Sequence, residues 1–127
     1  STHPATPHVV VVDDEPAIVE MVCDALEDAN VAADSCPHGT RAHACIRKKQ
    51  PQVVILDIQM PGVDGIQLFH LLRADPSTRA IPVIFFTANS HKLRDQLPDY
   101  QALGAELLPK PFHIDKLLDA VTRALAA

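Results

Sequence analysis

Three short apolar runs each give way to a polar residue suited to phosphate chemistry: His8–Val12 leads into Asp13 and Asp14, Gln52–Leu56 into Asp57, and Pro82–Phe86 into Thr87. A shorter run, Leu107–Pro109, delivers Lys110. Val9–Val12 is unbroken and β-branched, as a strand covered on both faces is. Pro16 suits the first turn of a helix, and Ile18, Val22, Ala25, Leu26 and Ala29 then recur at helical spacing. The alternation continues with a weak strand over Val31–Ser35 and a helix that follows Gly39 and runs to Lys49, with Ala42, Cys45 and Ile46 facing inward. Val53–Leu56 reads as the third strand, and a tight loop from Met60 to Gly65 leads into a helix carrying Ile66, Phe69 and Leu72. Ile81–Phe86 is the fourth strand, and a fourth helix within His91–Leu103 is broken or kinked by Pro98. Glu106–Leu108 is a brief fifth strand, and Ile114, Leu117, Leu118, Val121 and Leu125 mark a closing helix.

Alternating strands and helices predict a parallel sheet with helices on both faces, because parallel strands need right-handed crossovers. The expected fold class is α/β: a single doubly wound five-stranded parallel sheet of order 2-1-3-4-5. In that order strands one and three meet at the topological switch point, so Asp13, Asp14 and Asp57 share one crevice at the carboxyl edge.

At 127 residues and 47% hydrophobic, the chain has the size of one compact domain. Ser1–Pro7 reads as a disordered leader and residues 8–127 as the domain. A net charge of −5, with the lysines and arginines scattered, leaves no cationic face for a run of phosphates, so direct nucleic-acid binding is not expected. No run approaches the ~20 apolar residues of a membrane helix, and Ser1–Pro7 lack the charged and apolar regions expected of a signal peptide. Cys23, Cys36 and Cys45 form an odd set without CxxC spacing, in a core large enough not to need disulfide staples. A reducing cytoplasm is therefore the expected location.

Two carboxylates about 5 Å apart repel by roughly 3 kcal/mol at an effective dielectric of ~20, so three acids in one crevice need a cation. An all-oxygen, half-open site suits Mg²⁺, with Mn²⁺ as an alternative, anchored by Asp13 and Asp14. Asp57 can then act as nucleophile toward a phosphoryl group, with Lys110 compensating charge on the transferred oxygens and Thr87 hydrogen-bonding one of them. Phosphoryl transfer asks mainly for positioning and charge stabilisation, so no separate general base is required.

These residues carry a resemblance. Asp13-Asp14-Glu15, Asp57 through Gly65, Pro82 through Ala88, and Lys110-Pro111-Phe112 resemble the four ordered motifs of the CheY-like receiver domain of bacterial two-component response regulators, a flavodoxin-like (βα)5 fold. The resemblance implies that Asp57 is the phosphoacceptor, supplied by a histidine kinase or histidine phosphotransfer protein. It implies that Asp14 ligates Mg²⁺ directly, that Asp13 acts largely through water, and that Asp57 and the backbone carbonyl of Gln59 complete the protein ligands. It further implies a cis peptide between Lys110 and Pro111, and an output partner on the α4-β5-α5 face. Such a module catalyses only its own phosphorylation and dephosphorylation. Two features depart from the pattern: Leu107 occupies a place often held by Tyr or Phe, and the fourth helix contains Pro98. The expected consequence is that Thr87 still responds to phosphorylation while the output surface responds differently. Gln59 and Asn89, two residues beyond Asp57 and Thr87, border the approach of hydrolytic water in the family and are expected to tune phosphoryl lifetime.

Other readings fit less of the chain. A constitutive docking receiver would leave the acidic residues unused. An aspartate-nucleophile phosphatase usually carries a general-acid Asp where Gln59 stands, and a nucleotide or flavin binder would be repelled by Asp13-Asp14-Glu15. Cys36, His38, His43 and Cys45 suggest zinc, but helix positions two apart point in widely different directions, so His43 and Cys45 do not readily grip one ion.

Overall fold

A computed structural model describes residues 7–127, so the leader expected over Ser1–Pro7 lies, apart from Pro7, outside the described residues. Pro7 is already tied to the sheet, its carbonyl accepting from the Ala32 amide at 2.8 Å. Strands β1 (His8–Val12), β2 (Ala32–Ser35), β3 (Val53–Leu56), β4 (Val83–Thr87) and β5 (Ala105–Pro109) alternate with helices α1 (Pro16–Asp28), α2 (Ala42–Lys49), α3 (Gly65–Ala74), α4 (Ser90–Gln96) and α5 (Ile114–Ala126). All neighbouring strands are parallel, and their order is β2-β1-β3-β4-β5, as the alternation predicts.

The two-residue period of the strands sorts the core into two layers. Val10, Val12, Val54, Leu56 and Phe85 face α2, α3 and α4, meeting Ala42, Ile46, Leu68, Phe69, Leu72 and Leu93. Val9, Val11, Val53, Ile55, Ile84 and Phe86 face α1 and α5, meeting Val22, Leu26, Leu117 and Val121. With both sheet faces covered, β1, β3 and β4 are apolar without alternation, and every residue of β3 and β4 is buried.

Several boundaries differ from the periodicity for local reasons. β4 starts at Val83, because Pro82 has no amide to give the ladder, although its carbonyl accepts from Val54 at 3.0 Å. α2 starts only at Ala42, after a turn in which Gly39 takes φ +89°. Pro98 ends α4 rather than kinking it: Leu97 precedes the proline and leaves the helical region at φ −143°, ψ 63°.

The expectation of three unpaired cysteines is corrected, since Cys36 and Cys45 form a disulfide with their Cα atoms 5.8 Å apart. Cys36 ends the extension of β2, its amide donating to Val11 O at 3.1 Å, and the Gly39 turn brings α2 back beside it. The pair is thus a product of tertiary closure, which a nine-residue separation without a motif does not announce. Only Cys23 stays a free thiol, and burial pushes its pKa up. His43 turns to Asp75, Nε2 to Oδ2 2.9 Å, so the Cys/His group of α2 does not assemble around an ion. No helix among the described residues is long and apolar enough to cross a membrane.

At the amino edge of the sheet, the Arg73 guanidinium donates to Leu103 O (2.8 Å), Ile81 O (2.8 Å) and Gly104 O (3.3 Å), and lies 4.6 Å from the Phe69 ring centroid. It ties α3 to the chain just before β4, at Ile81, and just before β5, at Leu103 and Gly104. Arg73→Met keeps most of the stem's packing but takes the guanidinium donor from Leu103 O and Ile81 O, while Gly104 O keeps the Val83 amide, and is expected to lower unfolding free energy by about 2 kcal/mol in urea titration.

Candidate metal and phosphoryl site

Parallel pairing fixes which strand ends meet. Val12 is in register with Leu56, so the residues that follow them, Asp13 and Asp57, emerge side by side, and the Asp57 amide donates to Val12 O at 3.0 Å. Thr87 closes β4, and its carbonyl accepts from the Lys110 amide at 2.9 Å, which brings the end of β5 to the same edge. Asp13, Asp14 and Asp57 each present a carboxylate oxygen within 4.8 Å of the others. Asp13 is 6% exposed, Asp57 4% and Thr87 1%, while Asp14 is half-buried at the mouth.

The cationic partner comes from the opposite side of the crevice. Lys110 Nζ lies 3.0 Å from Asp13 Oδ2 and 3.6 Å from Asp57 Oδ2, with its ammonium 4.4 Å from the Phe86 ring centroid. The Lys110–Pro111 peptide is cis, as the resemblance implied. Backbone amides complete the first ring of donors: Glu15 N–H donates to Asp13 Oδ1 at 2.8 Å and Gln59 N–H to Asp57 Oδ1 at 3.3 Å. Thr87 Oγ1 accepts from the Asn89 amide at 3.0 Å, and Asn89 Oδ1 caps α4 by accepting from Lys92 N–H at 3.1 Å.

One ammonium against three carboxylates leaves the cluster short of positive charge. Burial, followed by the neighbouring Asp13 carboxylate, pushes the Asp57 pKa up to about 6, against the lowering effects of Lys110 and the Gln59 amide. A hard divalent cation matches an all-oxygen donor set of this kind, so Asp13, Asp14 and Asp57 fit as its protein carboxylates.

The loop after Asp57 leaves almost no clearance. Gly65 opens α3, its amide donating to Ile58 O at 2.8 Å, and a Cβ built there would lie 2.1 Å from Asp57 O. Asp64 and Gln67 form a reciprocal capping box that fixes the start of the helix against this loop. The pattern of residues signalled a tight turn over Met60–Gly65 but not that Gly65 is required by contact with the Asp57 backbone. The expected modulating residues are divided: Asn89 borders the crevice, whereas Leu107 is half-buried on the α3–α4 side of the sheet and packs on the core with Tyr100. Gln59 is exposed beside the site.

The profile of the response regulator receiver domain matches residues 9–122. Over 120 residues the chain is 38% identical to response regulator Rre1 of Synechocystis sp., covering 94% of this chain and 51% of that protein. It is 33% identical over 119 residues to the DNA-binding dual master transcriptional regulator RpaA of the same organism, covering 94% of this chain and 48% of that one. The chain therefore spans about half the length of these curated relatives. Among solved structures, the chemotaxis response regulator CheY4 of Vibrio cholerae superposes with a TM-score of 0.83 at 28% identity, covering 95% of this chain and all (100%) of that one. A response regulator from Chloroflexus aurantiacus gives 0.85 at 28% identity, covering 97% and 100%.

Because the folded state holds the Asp57 proton up to about pH 6 and the unfolded chain releases it near 3.8, this group favours folding less and less as pH rises between the two. In metal-free buffer, Asp57→Asn is therefore expected to be more stable than the parent at pH 7, by about 1–2 kcal/mol after allowing for water at the pocket mouth. The gap should open above pH 4 and be complete above about 6 in urea titrations at stepped pH. Gly65→Ala, which must displace α3 or the Asp57 loop, is expected to lose more than about 2 kcal/mol in the same assay.

Proposed function

From the membership of this chain in the response regulator receiver domain family, we propose that it is a phosphoryl-accepting signalling module of a two-component phosphorelay, with Asp57 as the residue that is phosphorylated. The observation that carries this reading is the convergence of Asp13, Asp14 and Asp57 within 4.8 Å at one sheet edge, faced by Lys110. Receiver domains are signalling modules rather than metabolic enzymes, and the chemistry proposed is confined to gain and loss of one phosphoryl group on the chain itself.

In this reading Asp13 and Asp14 hold Mg²⁺ together with Asp57 and the backbone carbonyl of Gln59. When bound, the ion supplies the positive charge that lets Asp57 ionise and that balances the phosphoryl oxygens. The Asp57 carboxylate attacks phosphorus, the phosphorus–donor bond breaks, and an acyl phosphate forms. The donor is a phosphohistidine of a kinase or phosphotransfer protein, whose imidazole leaves with the bonding pair. Lys110, now within reach of both the carboxylate and its new substituent, follows the charge from Asp57 to the phosphoryl oxygens. Among the described residues Thr87 Oγ1 accepts from the Asn89 amide and donates to no acceptor, so its own hydroxyl hydrogen is available to a phosphoryl oxygen. Burial of Asp57 and Thr87 limits hydrolytic water to the mouth beside Gln59 and Asn89.

The output is a change of affinity for a partner at the α4-β5-α5 face. There Leu107, packed on the core with Tyr100, offers no aromatic ring to swing in response to Thr87, so a phosphorylation signal travels through Thr87, Asn89 and the cap of α4. A cytoplasmic location and a histidine kinase or phosphotransfer protein as the input partner belong to the same proposal.

Incubation with Mg²⁺ and acetyl phosphate, followed at once by intact-mass measurement, is expected to show one added phosphoryl group that disappears with EDTA or with Asp57→Asn. Thr87→Ala and Lys110→Met should slow its formation by about 100-fold each. An adduct that persists in Asp57→Asn, or none in the parent chain, contradicts the assignment.

A further inference from the structure

The Cys36–Cys45 bond forms the wall between two surface grooves. Cys36 and Pro37 line the one that also holds Asp13, Asp14, Cys23 and Asp24, while Cys45 and Pro37 line a second, of about 580 Å³, with Arg41, Ala44, Lys48 and Lys49. The two sulfurs are not equally reachable: Cys36 is 4% exposed, and Cys45 is half-buried at the second groove. That groove is rimmed by cations in a chain of net charge −5. Lys49 pairs with Asp34, but among the described residues Arg41 and Lys48 form no ion pair and both are exposed. α2 itself buries only Ala42 and Ile46, so the covalent link carries much of its attachment to β2.

We propose that the Cys36–Cys45 bond is a thiol–disulfide exchange site, opened at Cys45 Sγ by a low-molecular-weight thiol bearing carboxylates that enters the cation-rimmed groove. Attack at Cys45 follows from access, since the groove on the Cys36 side is acidic and repels an anionic thiolate. The incoming thiolate forms a bond to Cys45 Sγ, the Cys36–Cys45 bond breaks, and its electron pair goes to Cys36 Sγ, which takes a proton from water. A second thiolate attacks the reagent sulfur of the mixed disulfide, Cys45 leaves and is protonated, and the reagent departs as its own disulfide. Two protein sulfurs are reduced and two reagent thiols oxidised. Arg41 and Lys48 hold the carboxylates of the reagent and stabilise its thiolate as it approaches.

The test uses the full chain and two probes of opposite charge, glutathione and cysteamine, at equal thiolate concentration, each normalised to its rate with hydroxyethyl disulfide. Alkylation after denaturation, read by intact mass, counts one thiol in the closed form and three in the opened form. Glutathione is expected to open the bond at least fivefold faster than cysteamine at low ionic strength, through a transient adduct mapped to Cys45. In 0.5 M salt, or in the exposed-site double variant Arg41→Gln/Lys48→Gln, the ratio should approach one. Three alkylated thiols before any reductant is added, an adduct mapped to Cys36, or equal rates for the two probes would each overturn the proposal. None of these readouts depends on whether Asp57 accepts a phosphoryl group.

Discussion

Like charge held close and out of water is the constraint on which the rest of the molecule depends. Three carboxylates lie within 4.8 Å of one another, and among the described residues the single ammonium that reaches them, from Lys110, contacts two. The imbalance shows in Asp57, whose proton is retained to about pH 6 chiefly because burial penalises its charge and Asp13 repels it. A site in this condition gains from a divalent cation, which offsets the carboxylates. Positive charge, rather than a dedicated acid or base, is what the crevice calls for.

Maintaining the deficit requires a scaffold that cannot relax by moving the carboxylates apart. Both faces of the sheet are packed, so Val12 and Leu56 are held in register and the residues after them have nowhere to go. The loop after Asp57 is clamped from the other side by Gly65, whose lack of a side chain lets α3 start against the Asp57 carbonyl, and by the Asp64–Gln67 capping box. Lys110 is brought in by the pairing of its own amide with Thr87 O, so the ammonium that faces the carboxylates and the Thr87 hydroxyl are fixed to each other through one backbone hydrogen bond. Binding energy at the crevice is therefore not dissipated in reorganising the sheet.

Much of this was legible in the residues because the signals are local. A β-branched run that ends in acids names both a buried strand and its polar edge, and alternation with helical periodicity orders five such strands without reference to any contact. Thus a parallel sheet with Asp13, Asp14, Asp57, Thr87 and Lys110 at its strand ends follows from pattern, and the doubly wound order 2-1-3-4-5 brings those ends to one crevice. What was not legible depends on tertiary closure. Cys36 and Cys45 meet only because the Gly39 turn folds α2 back onto the end of β2. The close approach of Gly65 to Asp57 is a packing fact, although glycine before an apolar helical face hints at it. Pro98 falls inside the fourth helical pattern, which predicts a break or a kink; the restriction it places on Leu97 makes it a break, the stop of a shorter helix. The side on which Leu107 packs was equally hidden, since it rests on neighbours brought in from α3, α4 and the segment after it.

The charge account is tested most directly by following the Asp57 side-chain carboxyl carbon by NMR across a pH titration, first in EDTA and then in saturating Mg²⁺. The account predicts a midpoint near 6 without the ion, displaced below the ordinary carboxylate range with it, because the cation removes the repulsion that holds the proton in place. An ordinary midpoint that Mg²⁺ leaves unmoved would contradict it, and with it the claim that Asp13, Asp14 and Asp57 act as one electrostatic unit.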